Sequence, residues 1–117
     1  MAIHHGSCHC GAVQFDADLE LTGLATCNCS ICGKTGAIMA FLPSEKLSGV
    51  TGEDKMTDYQ FGKKSIHHAF CSVCGVRPFA RGEGHDGSAW SMVNVRCLDA
   101  VDAHTLTVEK QYNGKEL

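Results

Sequence analysis

At 117 residues with a formal charge of −3, the chain is of single-domain size and has no basic block that could neutralise nucleic-acid phosphates. No apolar run approaches the ~20 residues of a membrane-spanning helix, and Met1-Ala2-Ile3-His4-His5 opens no signal segment. Neither nucleic acid nor membrane is therefore expected as the main partner. Five phenylalanines, two tyrosines and one tryptophan promise a modest core, so the eight cysteines are the means by which the fold can be stapled.

In chain order, Cys8-x-Cys10 comes first, followed by Gly11. From Ala12 the pattern alternates: Val13, Phe15, Ala17 and Leu19 are apolar, Gln14, Asp16, Asp18 and Glu20 polar. Period two predicts a half-buried strand with its acids facing water. Leu24 to Thr26 leads into Cys27-x-Cys29-x-x-Cys32, and Gly33 to Gly36 reads as the turn leaving it. Ala37 to Leu42 is a short apolar run ended by Pro43, predicted as a buried strand. Pro43 to Leu47 predicts one helical turn with Ser44 as its cap. Short strands are expected at Val50–Thr51, Met56 to Phe61, Ser65 to Phe70, Val76 to Arg81, Ala89 to Val95 and Leu106 to Lys110, with Cys71-x-x-Cys74 after the third. Glycine-punctuated strands indicate an all-β class built of small antiparallel sheets. The expectation is one domain over residues 1–117.

Thiols two or three residues apart suit one tetrahedral zinc ion better than disulfides, since C-x-C spacing aims poorly for a bridge. A reducing, cytoplasmic location is the corresponding expectation. Structural zinc contributes ~10–16 kcal/mol of apparent binding free energy to folding in finger peptides. Four cysteines plus three fits one closed structural site and one site with an open coordination position, the catalytic form. Three thiolates weaken Lewis acidity, so such a site suits a thiol or thiohemiacetal better than generating hydroxide. Spacing leaves a second pairing open: Cys29/Cys32 with Cys71/Cys74 would form a zinc ribbon, with Cys8, Cys10, Cys27 and Cys97 as bystanders.

Gly6-Ser7-Cys8-His9-Cys10-Gly11-Ala12-Val13-Gln14-Phe15, Cys27-Asn28-Cys29-Ser30-Ile31-Cys32-Gly33-Lys34 and Phe70-Cys71-Ser72-Val73-Cys74-Gly75 resemble the glutathione-dependent formaldehyde-activating enzyme family. Tyr59 and Val93-Asn94-Val95-x-x-Leu98-Asp99 extend the likeness over about residues 6–100. The resemblance implies a β-tent fold of coiled antiparallel sheets. It also implies structural zinc on Cys8, Cys10, Cys71 and Cys74, and a second zinc on Cys27, Cys29 and Cys32. The implied activity is that of a carbon–sulfur lyase acting on a thiol–aldehyde adduct such as S-hydroxymethylglutathione, with glutathione as co-substrate and formaldehyde as the aldehyde. A non-enzymatic zinc-stabilised binding or carrier module on the same scaffold is the alternative.

Cys97, preceded by Arg96, is read as a buried inert thiol, with a thiol-reductase role as the lesser reading. His9 is expected on the surface, and one of His67 and His68 inward as a satisfied structural histidine. The loop Gly82 to Gly87, with His85 and Asp86, is read as a solvated turn, its alternative being a lid over the open metal position. Trp90 and Phe79 are expected in the core. Lys34, Lys63, Lys64 and Arg81 are read as solvated, though they could meet glutathione carboxylates.

Overall fold

The computed structural model describes residues 2–62, 66–83 and 86–113. Ile3–Ser7 (β1) pairs antiparallel with Gln14–Asp18 (β2), and β2 pairs in turn with Leu47–Thr51 (β5), making a three-stranded sheet. The alternation after Ala12 sets this packing: Val13, Phe15 and Ala17 are wholly buried. Their polar neighbours are not uniformly solvated, however. Asp16 accepts from His5 Nδ1 at 2.9 Å, whereas Asp18 Oδ1 is buried without a hydrogen-bond partner among the described residues.

The second sheet takes the order β10-β3-β4-β9-β8-β7-β6. Its strands are Ala25–Cys27 (β3), Met39–Pro43 (β4), Met56–Tyr59 (β6), Ile66–Cys71 (β7), Phe79–Glu83 (β8), Ala89–Asn94 (β9) and Lys110–Tyr112 (β10). Its pairings are antiparallel except one: β10 runs parallel to β3. Among the described residues the chain is thus all-β, with one short helix, Cys32–Thr35 (α1), where a plain turn was expected.

Ser44 does not cap the 3₁₀ turn Ser44–Lys46. The Ncap residue is Pro43, and the Ser44 hydroxyl instead meets the buried Ser91 hydroxyl at 2.7 Å. The final strand is displaced as well: Leu106 to Glu109 lies outside it. Phe41, inside the run expected to be buried, is 48% exposed, because period two carries it to the outer face beside Trp90 and Tyr112.

Two apolar clusters form the interior. The larger holds Cys8, Val13, Phe15, Leu24, Phe79 and Val93, with Phe15 and Phe79 edge to face at 5.7 Å. The smaller holds Cys32, Ala37, Met39, Ala80 and Met92, with Cys27, Cys29 and the half-buried Trp90 packed against it. Each cysteine group therefore rests on its own patch of core.

Candidate metal centre

All eight cysteines are free thiols, and seven form two groups. Cys8, Cys10, Cys71 and Cys74 place their sulfurs within 4.8 Å of one another; so do Cys27, Cys29 and Cys32. The ribbon pairing of Cys29/Cys32 with Cys71/Cys74 does not occur. Cys97 belongs to neither group and forms the end of the 3₁₀ turn Val95–Cys97.

The four-cysteine group joins two tight turns. Cys8 N donates to Val13 O at 3.0 Å, and Val13 N donates to Cys8 Sγ at 3.3 Å. In the facing turn, Gly75 N reaches Cys71 O at 2.8 Å and Cys71 N reaches Val76 O at 2.9 Å. Gly11 and Gly75 stand at φ of +82° and +80°, a region side chains with a Cβ disfavour. Cys10 Sγ lies 3.7 Å from both Cys8 Sγ and Cys71 Sγ. Thiolates held at ~2.3 Å around a tetrahedral zinc stand ~3.8 Å apart, so this set fits the ion. Backbone amides of Val76 and Cys10 hold the Cys74 thiol down to about 6.

The three-cysteine group lies in one loop. Cys27 ends β3, Cys29 N donates to Cys27 Sγ at 3.4 Å, and Cys32 N donates to Cys29 Sγ at 3.4 Å. Helix α1 continues from Cys32 and is closed by Gly36 N bonding to Cys32 O at 3.0 Å. From the other side the end of β10 and the residue after it hold the loop: Asn28 N donates to Tyr112 O at 3.2 Å, and Asn28 Nδ2 donates to Asn113 Oδ1 at 2.8 Å. The thiols are electrostatically unequal. Burial and the Cys29 and Cys27 sulfurs push Cys32 up to about 12. For Cys29 burial opposes ionisation, but the amides of Cys32 and Ile31 and the neighbouring thiols outweigh it and hold it low. Crowded sulfurs resist sharing negative charge, and a central divalent cation removes that conflict. Three convergent sulfurs fit a zinc ion with one position left over.

Around these groups, His9 is exposed as expected. His68 is the inward member of its pair, only 5% exposed, and burial holds its pKa below the usual value. It is not satisfied, however: its Nδ1 lacks a hydrogen-bond partner among the described residues, as does the buried Nη1 of Arg77. No motif in the sequence marks Arg77, whose charge reaches both His68 and Cys32. His67 points the other way and meets Asp58 at 2.6 Å, beside an Arg81–Glu53 pair at 2.7 Å. Burial, together with the Cys8 and Cys74 sulfurs, raises the Cys97 thiol to about 11, unsuited to a nucleophile. Lys63, Lys64 and His85 lie outside the described residues.

The family model described as glutathione-dependent formaldehyde-activating enzyme matches residues 3–113. A crystal structure of a Rhodobacter sphaeroides protein, a structural genomics target, is similar with a TM-score of 0.81 and 32% identity, covering 92% of this chain and 98% of that one.

Proposed function

The chain belongs to the glutathione-dependent formaldehyde-activating enzyme family, and from that premise we propose that it makes or cleaves a thiol–aldehyde adduct at the Cys27–Cys32 loop. The adduct favoured by membership is S-hydroxymethylglutathione, and the reaction class that of a carbon–sulfur lyase. The carrying observation is the convergence of Cys27, Cys29 and Cys32 from one loop, with sulfurs within 4.8 Å and no fourth cysteine in the group.

In this reading Cys27, Cys29 and Cys32 hold a zinc ion, while Cys8, Cys10, Cys71 and Cys74 hold another that ties the amino-terminal turn to the turn after β7. When bound in the loop, zinc supplies a Lewis-acid position open to sulfur or oxygen. The chain's own part is to fix that position. The amides of Cys29 and Cys32 donate to sulfur and stabilise thiolate, and Tyr112 of β10 with the following Asn113 holds Asn28 so that the loop keeps its shape. In the adduct-forming direction the thiol sulfur bonds the carbonyl carbon, and the thiol proton ends on the carbonyl oxygen. The reverse direction returns both.

The test is formation of the glutathione–formaldehyde adduct by zinc-loaded protein, followed by NMR against the uncatalysed rate. Acceleration that disappears in Cys29→Ser supports the reading. Rates equal to the uncatalysed reaction would leave the scaffold as a zinc-stabilised binding module.

A further inference from the structure

Two hollows flank the Cys27–Cys32 loop, and their chemistry differs. One, of about 250 Å³, is lined by Thr26, Cys27, Asn28, Gln111, Tyr112 and Asn113. Three of these six carry carboxamides, groups that both donate and accept hydrogen bonds. The other, of about 270 Å³, is lined among the described residues by Ser30, Ile31, Lys34, Tyr59 and Phe61.

The second hollow has an aromatic wall. The rings of Tyr59 and Phe61 stack at 5.8 Å and 25°, and Phe61 stacks in turn on His68 at 5.3 Å and 27°. Tyr59 and Phe61 remain 51% and 38% exposed, so much of this wall is open to a ligand. Behind Phe61 the stack ends on the buried His68, whose Nδ1 lacks a hydrogen-bond partner among the described residues.

Size decides between candidate carbonyl compounds. Formaldehyde has only two heavy atoms and is little larger than water, which takes ~30 Å³ of liquid volume, so it would leave this hollow nearly empty. An apolar cavity of ~150 Å³ suffices for benzene. A peptide-like thiol does not suit the aromatic side, because its amides would face rings and a single lysine. It suits the carboxamide side, which includes Cys27 itself.

We propose that the carboxamide hollow takes the body of the thiol and that the Tyr59–Phe61 hollow takes the ring of an aromatic aldehyde, making aromatic hemithioacetals the preferred substrates. This rests on the reading that thiol–aldehyde chemistry runs at the three-cysteine loop. The step is the same addition: sulfur bonds the carbonyl carbon, the C=O π pair moves to oxygen, and the thiol proton ends there. No oxidant or reductant is needed.

The experiment compares benzaldehyde with formaldehyde, each with glutathione, as acceleration over the respective uncatalysed rate by zinc-loaded protein. Benzaldehyde is expected to show the larger acceleration by about tenfold. Tyr59→Ala, at an exposed position, should reduce that ratio about fivefold, the factor for one aromatic contact, while Tyr59→Phe restores it. Gln111→Ala should raise KM for glutathione without moving the ratio. A larger acceleration for formaldehyde, or a ratio indifferent to Tyr59, overturns the proposal and leaves the general reaction standing. A Tyr59→Ala effect confined to the KM for glutathione assigns the wall to the thiol and also overturns it. Acceleration of neither aldehyde removes the underlying reading as well.

Discussion

Replacing Gly52 by alanine is expected to damage the turn that carries Cys8 and Cys10. Gly52 has φ +81°, and a Cβ there would overlap the carbonyl oxygen of Ala12, approaching the Ala12 carbonyl carbon to 2.9 Å and Val13 Cα to 3.2 Å. These are backbone atoms and have no rotamer by which to yield. The left-handed conformation costs an L-residue ~1–2 kcal/mol, and the overlap adds ~1–3 kcal/mol, as overpacking does elsewhere. Gly62→Ala is the control: φ is +60° with nothing among the described residues within 4 Å, so the ~1–2 kcal/mol conformational cost is the expected effect. Urea unfolding at a shared m-value should therefore show Gly52→Ala the less stable by ~1–3 kcal/mol. Because Val13 N donates to Cys8 Sγ, the same variant should release metal from the four-cysteine group sooner. Equal midpoints for the two variants would refute the steric argument.

Cys74→Ser should prevent stable folding, while Cys29→Ser should abolish turnover and keep most thermal stability; melting curves and adduct assays separate them, and equal destabilisation would contradict this division. Ending the chain after Val108 removes the Gly23 N bond to Glu109 and the Asn28 bonds to Tyr112 and Asn113. Metal affinity of the three-cysteine loop, read by competition with a chelator, should fall roughly tenfold, as when an outer-shell partner is lost. His5 should titrate above 6.5 by NMR because of its hydrogen bond to Asp16, and Asp16→Asn should bring it down. The folded pKa is raised, so the stabilising contribution is complete below 6.5 and is lost as pH rises through the folded value. His68 should titrate below 6.5; its folded pKa is lowered, so stability falls as pH drops through that lower value.

Local patterns carried much of the architecture. The alternation at Val13, Phe15 and Ala17 placed β2 and its buried face, since side-chain direction in a strand follows parity alone. Long-range pairing left weaker signs. Residues 10 and 71 meet because two strands and their turns converge, and cysteine spacing is equally compatible with a ribbon; family resemblance supplied the grouping. Ser44 looked like a cap by type, yet tertiary packing gave its hydroxyl to Ser91. The strand at Lys110 has no sequence signature, because Lys110, Gln111 and Tyr112 are all exposed and pair in parallel with β3, leaving no alternation. Arg77 and the Tyr59–Phe61–His68 ladder are similarly hidden, since stacking of β6 and the residues after it on β7 depends on register.

The most direct measurement is the zinc content of native protein by mass spectrometry, before and after mild chelation. Two zinc ions per chain are expected, with one lost from Cys27, Cys29 and Cys32 while the fold persists. A single ion, or two ions that leave together as the protein unfolds, would contradict the separation of a structural from a reactive site.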